Sequence, residues 1–222
     1  MKALIRHNYY MVKSSLKAGC FLILGAIVFI FFANLFFTPE AIDSIGNVML
    51  FMVMGSLAGL CFTLYFNTDK CKWDCFVLTS GYEKKDIIKA RYVSVILFSI
   101  SISIVFILSL FVTMLVTNRV NVYLINYAIQ VAVVLLVINP AFTQLLILKY
   151  GVEKGTFLFI VSLVISSVIT GAFVLLIALL VKSLEVGIKF EYIITIALVL
   201  FGIAIYIGSY FLSKKIYNKQ DL

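Results

Sequence analysis

Charge is what this chain has least of. Only 13% of its 222 residues are Asp, Glu, Lys or Arg, about half the usual share in soluble domains. With 64% hydrophobic residues and a mean hydropathy of +1.15, a soluble fold is excluded. Too few polar residues remain for a second, water-soluble domain. There is one histidine, His7, so no HExxH metal site exists and no histidine relay can be built. A serine–histidine pair would have to use that residue, which precedes the first apolar run. Prolines number two, Pro39 and Pro140. No GxxxxGK[ST] phosphate loop occurs; GVEKGT at Gly151 to Thr156 has the wrong spacing. Any ATP used must be bound by another chain.

The four cysteines are Cys20, Cys61, Cys71 and Cys75. Cys71 and Cys75 have half the spacing of a metal site but no second pair, so they read as free thiols, kept reduced if they face the cytosol. No cleavage pattern follows the first apolar run, so no signal peptide is read.

What the chain does have is long apolar runs. Six are long enough to span a bilayer, at about 20 residues each. They cover 18–37, 47–66, 92–116, 122–148, 156–181 and 192–212. None contains Asp, Glu, Lys, Arg or His. Coupled carriers usually keep such groups in the membrane as relays, so a proton-coupled carrier and an intramembrane enzyme are both disfavoured. Sodium coupling through backbone oxygens survives that argument. The expected fold is all-α, a single membrane domain over residues 1–222.

Residues 1–17 read as a basic amphipathic helix. Met1, Leu4, Ile5, Tyr9, Val12 and Leu16 recur at three- and four-residue spacing, with Lys2, Arg6, Lys13 and Lys17 mostly opposite. It is expected to lie in the headgroup region, as an elbow into span 1 or as a plain anchor. Span 2 carries Gly55-x3-Gly59, a close-approach spacing. Span 4 carries Asn126, Gln130, Asn139 and Gln144, and Pro140 predicts a kink. These amides, with Asn34 of span 1, either line a translocation path or bond across helices. Ser162, Ser166 and Thr170 of span 5 form a small-residue ladder for helix packing, with Ser167 and Gly171 beside it.

The longest polar interval is 67–91, between spans 2 and 3. Asn67 or Thr68 caps a short predicted helix over 69–78, with Trp73, Phe76 and Val77 on one side. Ser80-x-x-Glu83 reads as a capping box opening a second helix that runs into span 3. The expectation is helix, tight break, helix. With both termini and this loop in the cytoplasm, only Arg119, Lys182 and Lys189 of the 18 Lys and Arg face outward. That bias fixes the orientation and accounts for the net charge of +8 with no nucleic-acid partner.

The pattern Trp73-Asp74-x-Phe76-x-Leu78 followed by SGYEKKDIIKARY (Ser80 to Tyr92) resembles the segment after the second span in short bacterial ABC-2-type permeases. The opening, MKALIRHNYYMVKSSLK, is similar to that family's as well. By motif the likeness covers about the first hundred residues; by topology it covers the chain. The family's proline-containing break is replaced here by Thr79-Ser80-Gly81-Tyr82, with Gly81 able to turn the chain. The loop before span 6 is too short for the re-entrant hairpin of larger relatives.

The resemblance implies a permease subunit of an exporter in the bacterial cell membrane. A separate cytoplasmic ATPase binds ATP and magnesium and receives a coupling helix in a groove. Lys70, Lys72, Trp73, Asp74, Phe76, Val77, Leu78, Ser80, Tyr82 and Glu83 would form that contact. Two permeases, copies or paralogues, would pair through spans 1 and 5, which the Ser162/Ser166/Thr170 ladder suits. This chain itself would hold no cofactor and catalyse nothing. Relatives export phenol-soluble modulins, bacteriocins and antibiotics, so the expected cargo is an amphipathic peptide or hydrophobic compound. The rival readings are an ATPase-independent carrier or channel, a lipid-modifying enzyme, and a scaffold or sensor.

Overall fold

The computed structural model describes residues 2–33, 59, 63–67, 73–117, 122–183 and 190–219, and among them there is helix and turn but no strand. The elements are α1 (Lys2–Ala33), α2 (Trp73–Thr79), α3 (Lys84–Thr117), α4 (Val122–Val133), a π-helical turn (Val134–Ile138), α5 (Asn139–Tyr150), a 3-10 turn (Val152–Lys154), α6 (Gly155–Ser183) and α7 (Phe190–Asn218). Among the described residues, four stretches are long and apolar enough to cross a membrane: Lys84–Leu108, Ile125–Tyr150, Val152–Leu179 and Tyr192–Asn218. They match predicted spans 3 to 6. Most of span 2, with Gly55, lies outside the described residues.

The N-terminal segment corrects an expectation. No separate elbow stands before span 1: α1 is one 32-residue helix that passes Lys17 and Ala18 without interruption. Nothing there would break it, since α1 contains no proline. The apolar face of its first half does not rest in headgroups either. Leu4, Asn8 and Val12 are buried at four-residue spacing, and α1 packs along α3, where Asn8 Nδ2 donates to Ser94 Oγ at 3.0 Å.

Pro140 is absorbed rather than tolerated. Proline removes the N–H that would bond the carbonyl four residues back, and its ring crowds that carbonyl. The affected group is the Leu136 carbonyl, which lies within the π-helical turn. Ser99 Oγ of α3 donates to it at 2.6 Å. The Asn139 N–H bonds back to the Val134 carbonyl, a wider loop than the α-helical one. The wider turn faces α7 at Gly202, where an added Cβ would come within 2.9 Å of Val133 Cγ1.

The helices are tied at one end. Tyr92 of α3 shares hydrogen bonds with Ser209 and Ser213 of α7 at 3.0 and 2.7 Å, and Tyr206 Oη donates to the Tyr92 carbonyl at 2.8 Å. Asn67 Nδ2 donates to the Met11 carbonyl of α1 at 2.8 Å. The start of α1, the polar loop and the last turns of α7 therefore gather together.

Candidate functional site

The predicted helix, break, helix is present, built by backbone chemistry that the sequence partly disclosed. Gly81 takes φ +86°, a conformation that L side chains rarely adopt. Its N–H bonds the Leu78 carbonyl, while the Tyr82 N–H bonds the Val77 carbonyl. This pair of bonds is a Schellman closure, which satisfies the last carbonyls of α2. Tyr82 then packs against the buried core to which Val77 belongs.

The capping box is not where the sequence placed it. Ser80 Oγ turns backward and donates to the Phe76 carbonyl at 3.0 Å, so it closes α2 instead of opening α3. Glu83 is the residue at the start of α3. Its N–H donates to Asp86 Oδ2 at 3.4 Å, while the Asp86 and Ile87 N–H groups bond the Glu83 carbonyl. One half of a capping box has thus moved three residues along, with the Asp86 carboxylate accepting from the Glu83 N–H. Glu83 also pairs with Lys85 at 2.6 Å, an exposed pair that adds little.

The inner face of α2 carries the strongest contacts. Arg91 Nη2 donates to both Asp74 carboxylate oxygens at 2.7 Å, and Tyr217 Oη of α7 donates to Asp74 Oδ2 at 2.6 Å. Arg91 is 5% exposed and Tyr217 2%. The guanidinium also lies 4.5 Å from the centre of the Tyr65 ring, and Tyr65 Oη reaches Gln144 Oε1 of α5 at 3.4 Å. One carboxylate thus links α2 to α3 and α7, and through Arg91 and Tyr65 to α5. Losing one partner of such a mostly buried pair costs about 3–5 kcal/mol, because a bare charge remains.

Trp73 also turns inward. Its ring stacks on His7 of α1, centroids 3.5 Å apart and planes 13° apart. His7 Nε2 is buried with no hydrogen-bond partner among the described residues. Burial lowers the His7 pKa below its ordinary value, and the nearby Asp74 charge opposes that shift in part.

The outer face is left to Phe76, which is 61% exposed although its ring touches Trp73 at 5.4 Å. Along α2, the break and the start of α3, Cys75, Thr79, Ser80, Gly81, Glu83, Lys85 and Lys89 are also exposed. The ten residues proposed for partner contact therefore divide. Phe76, Ser80 and Glu83 are exposed; Trp73, Asp74, Leu78 and Tyr82 are half-buried; Val77 is buried. Lys70 and Lys72 lie outside the described residues, as does Cys71.

The span 4 amides sit between helices of this chain. Asn139 and Gln144 are fully buried and Asn126 nearly so. Gln130 Nε2 donates to Thr195 Oγ1 of α7 at 2.9 Å. Asn139 Oδ1 accepts from Ser162 Oγ of α6 at 2.7 Å, and Ser162 shares a second 2.7 Å bond with Thr143. The ladder is corrected too: Ser162, Ser166 and Thr170 are buried within the protomer, and Ser162 is bonded to α5. Their small size lets α6 approach its own neighbour, so they are not a free surface for a second permease. Asn34 lies outside the described residues.

Sequence reasoning missed Arg91, Tyr65, Tyr217 and His7. Arg91 was one positive charge among several in the loop, and the two groups that meet Asp74, Arg91 and Tyr217, lie 17 and 143 positions from it. A lone arginine at the border of an apolar run was the available signal, since a charge there needs a partner.

A family model described as ABC-2 family transporter protein matches residues 3–218, nearly the whole chain. No curated protein and no solved structure matches.

Proposed function

Because the chain belongs to the ABC-2 transporter family, we propose that it is the permease subunit of an exporter in a bacterial cell membrane, driven by a separate cytoplasmic ATPase that binds ATP and magnesium. The observation that carries the contact surface is the two-sidedness of α2. Its inner face is fastened by Asp74 to α3 and α7, and its outer face presents Phe76 to solvent. A helix held in this way can receive a push on one side and deliver it to the spans on the other. An exposed aromatic on a short helix fits a helix-in-groove contact, in which buried aromatics dominate the energy. The anchor is therefore Phe76, with Ser80 and Glu83 at its edge, and Trp73 supports it from behind.

The spans offer cargo a surface without charge, which suits amphipathic peptides or hydrophobic toxins. A second permease, copy or paralogue, would pair through the outer face of α6. There Phe157, Ile160, Val164, Val168, Leu175 and Leu179 are exposed, and α6 is the least covered of the four spans.

The test is isolation from the native membrane in a gentle detergent, with partners identified by mass. A stoichiometric soluble subunit bearing a phosphate-binding loop is expected. Phe76→Ala should lose it without lowering the thermal stability of the permease, whereas Trp73→Ala should lower both. A chain recovered alone after cross-linking would overturn the reading in favour of an ATPase-independent carrier or channel.

A further inference from the structure

The outward side of α1 is a single stripe. Lys2, Arg6, Tyr10, Lys13, Lys17, Phe21, Leu24 and Val28 follow one another at three- and four-residue steps, so they share one face of one helix. All are exposed except Lys13, which is half-buried. The stripe is cationic at first and apolar afterwards, and Phe21, where the character changes, is 73% exposed. No acid occurs before Glu40. Because α1 runs without a break, the basic face and the apolar face are aligned.

Two of these cations converge. Arg6 Nη2 reaches Tyr10 Oη at 3.5 Å, with its guanidinium carbon 5.8 Å from the ring centre. Lys13 Nζ lies 5.5 Å from the same centre. The two positions are separated by two helical turns, about 10 Å, yet their charges gather at one exposed ring. Neither makes an ion pair among the described residues.

We propose that the Arg6–Tyr10–Lys13 cluster binds the phosphate of an anionic phospholipid of the inner leaflet, with an acyl chain lying along Phe21, Leu24 and Val28. Charge complementarity and continuity with an apolar, exposed stripe identify the occupant. Cations next to a span attract anionic headgroups, and the tyrosine ring gives an amphipathic wall at the headgroup level. A second copy of this chain fits the basic half poorly, since two such faces would bring like charges together. The site has a consequence for α2. The adjoining flank of the same turns, about a quarter-turn around the helix, holds His7 against Trp73, so a lipid bound outside steadies the residue that supports the coupling helix.

The detergent-purified chain, titrated with phosphatidylglycerol or phosphatidylcholine, is read by native mass spectrometry. Phosphatidylglycerol is expected to be retained and phosphatidylcholine to be stripped, with retention falling as salt rises. The double variant Arg6→Gln/Lys13→Gln should weaken retention roughly 30-fold, from two charges lost near an anionic group. Lys85→Gln/Lys89→Gln removes the same charge from the exposed start of α3 and should leave retention unchanged. Equal retention of both lipids overturns the proposal, as does loss with the α3 pair instead. If the α1 pair changes the mass of the permease assembly and not its lipid, the face belongs to a second copy. Unchanged thermal unfolding of each variant guards against misfolding.

Discussion

Two buried polar clusters hold this molecule together, and they differ in kind. At the end of the bundle where α2 lies, Asp74, Arg91 and Tyr217 make a charged hub. Among the spans, Asn139, Thr143 and Ser162 make a neutral seam. The hub joins segments far apart in sequence and includes the short helix α2. The seam joins two neighbouring helices. Charge is used where water is near enough to soften the desolvation cost, and neutral hydroxyls and amides serve where lipid surrounds the bundle. A contact that must carry load between distant segments is thus the strong one, while contacts that set helix spacing are weak and several.

The largest expected effect comes from unbalancing the hub. Arg91→Met should destabilise the chain by about 3–5 kcal/mol, because Asp74 is left as a mostly buried charge. Asp74→Leu in addition should recover most of that stability. Thermal unfolding in one detergent for the two single variants and the double gives the coupling directly. Additive losses would show that the hub is two independent contacts, and the contrast with the seam would collapse. The double variant should still be uncoupled in transport if α2 drives α3 and α7 through this bond.

A smaller effect is expected beside the π-helical turn. Ser99→Ala leaves the Leu136 carbonyl without its donor, at a cost of about 1–3 kcal/mol for an unsatisfied buried group. Pro140→Ala returns the missing N–H, so the Ser99→Ala loss should shrink in that background. The same unfolding measurements decide it. Smaller still, Ser162→Ala in the seam should cost about 0.6 kcal/mol, the average for a hydrogen bond between membrane helices. A loss as large as that of Arg91→Met would put the seam and the hub in one class.

Much of this was open to reading from the sequence, and the omissions have physical causes. Spans 3 to 6 were legible because uncharged runs of that length have few other homes. The break at Gly81 was legible because polarity changes there and glycine permits the turn. The capping box slipped because a serine between two helices can serve either one, and only the geometry says which. The Ser162, Ser166 and Thr170 ladder disclosed that something comes close, but small residues do not say what. The hub was hidden because its members share no local pattern: Asp74 and Arg91 sit in a loop full of charges, and Tyr217 lies in the basic tail. The continuity of α1 was hidden because a change from amphipathic to apolar looks like a boundary even when the backbone does not bend.

His7 and Trp73 offer the finest test of the contrast, because they sit beside the hub and carry no net charge at neutral pH. Burial lowers the His7 pKa in the folded chain, so the unfolded chain binds the proton more readily. Stability from this contact is therefore present above the ordinary histidine value of about 6.5 and lost as pH falls through it, reaching its floor below the folded pKa. Trp73 is the only tryptophan, and its emission reports the contact without labelling. Between pH 8 and pH 5 its emission should change with a midpoint below the ordinary histidine value. His7→Phe keeps an aromatic face for stacking but cannot titrate, so its emission should be flat over that range. A wild-type titration that persists in His7→Phe would assign the proton to a group other than His7. A flat wild-type titration would mean that the ring contact does not sense its own protonation, leaving Asp74 and Arg91 to hold α2 alone.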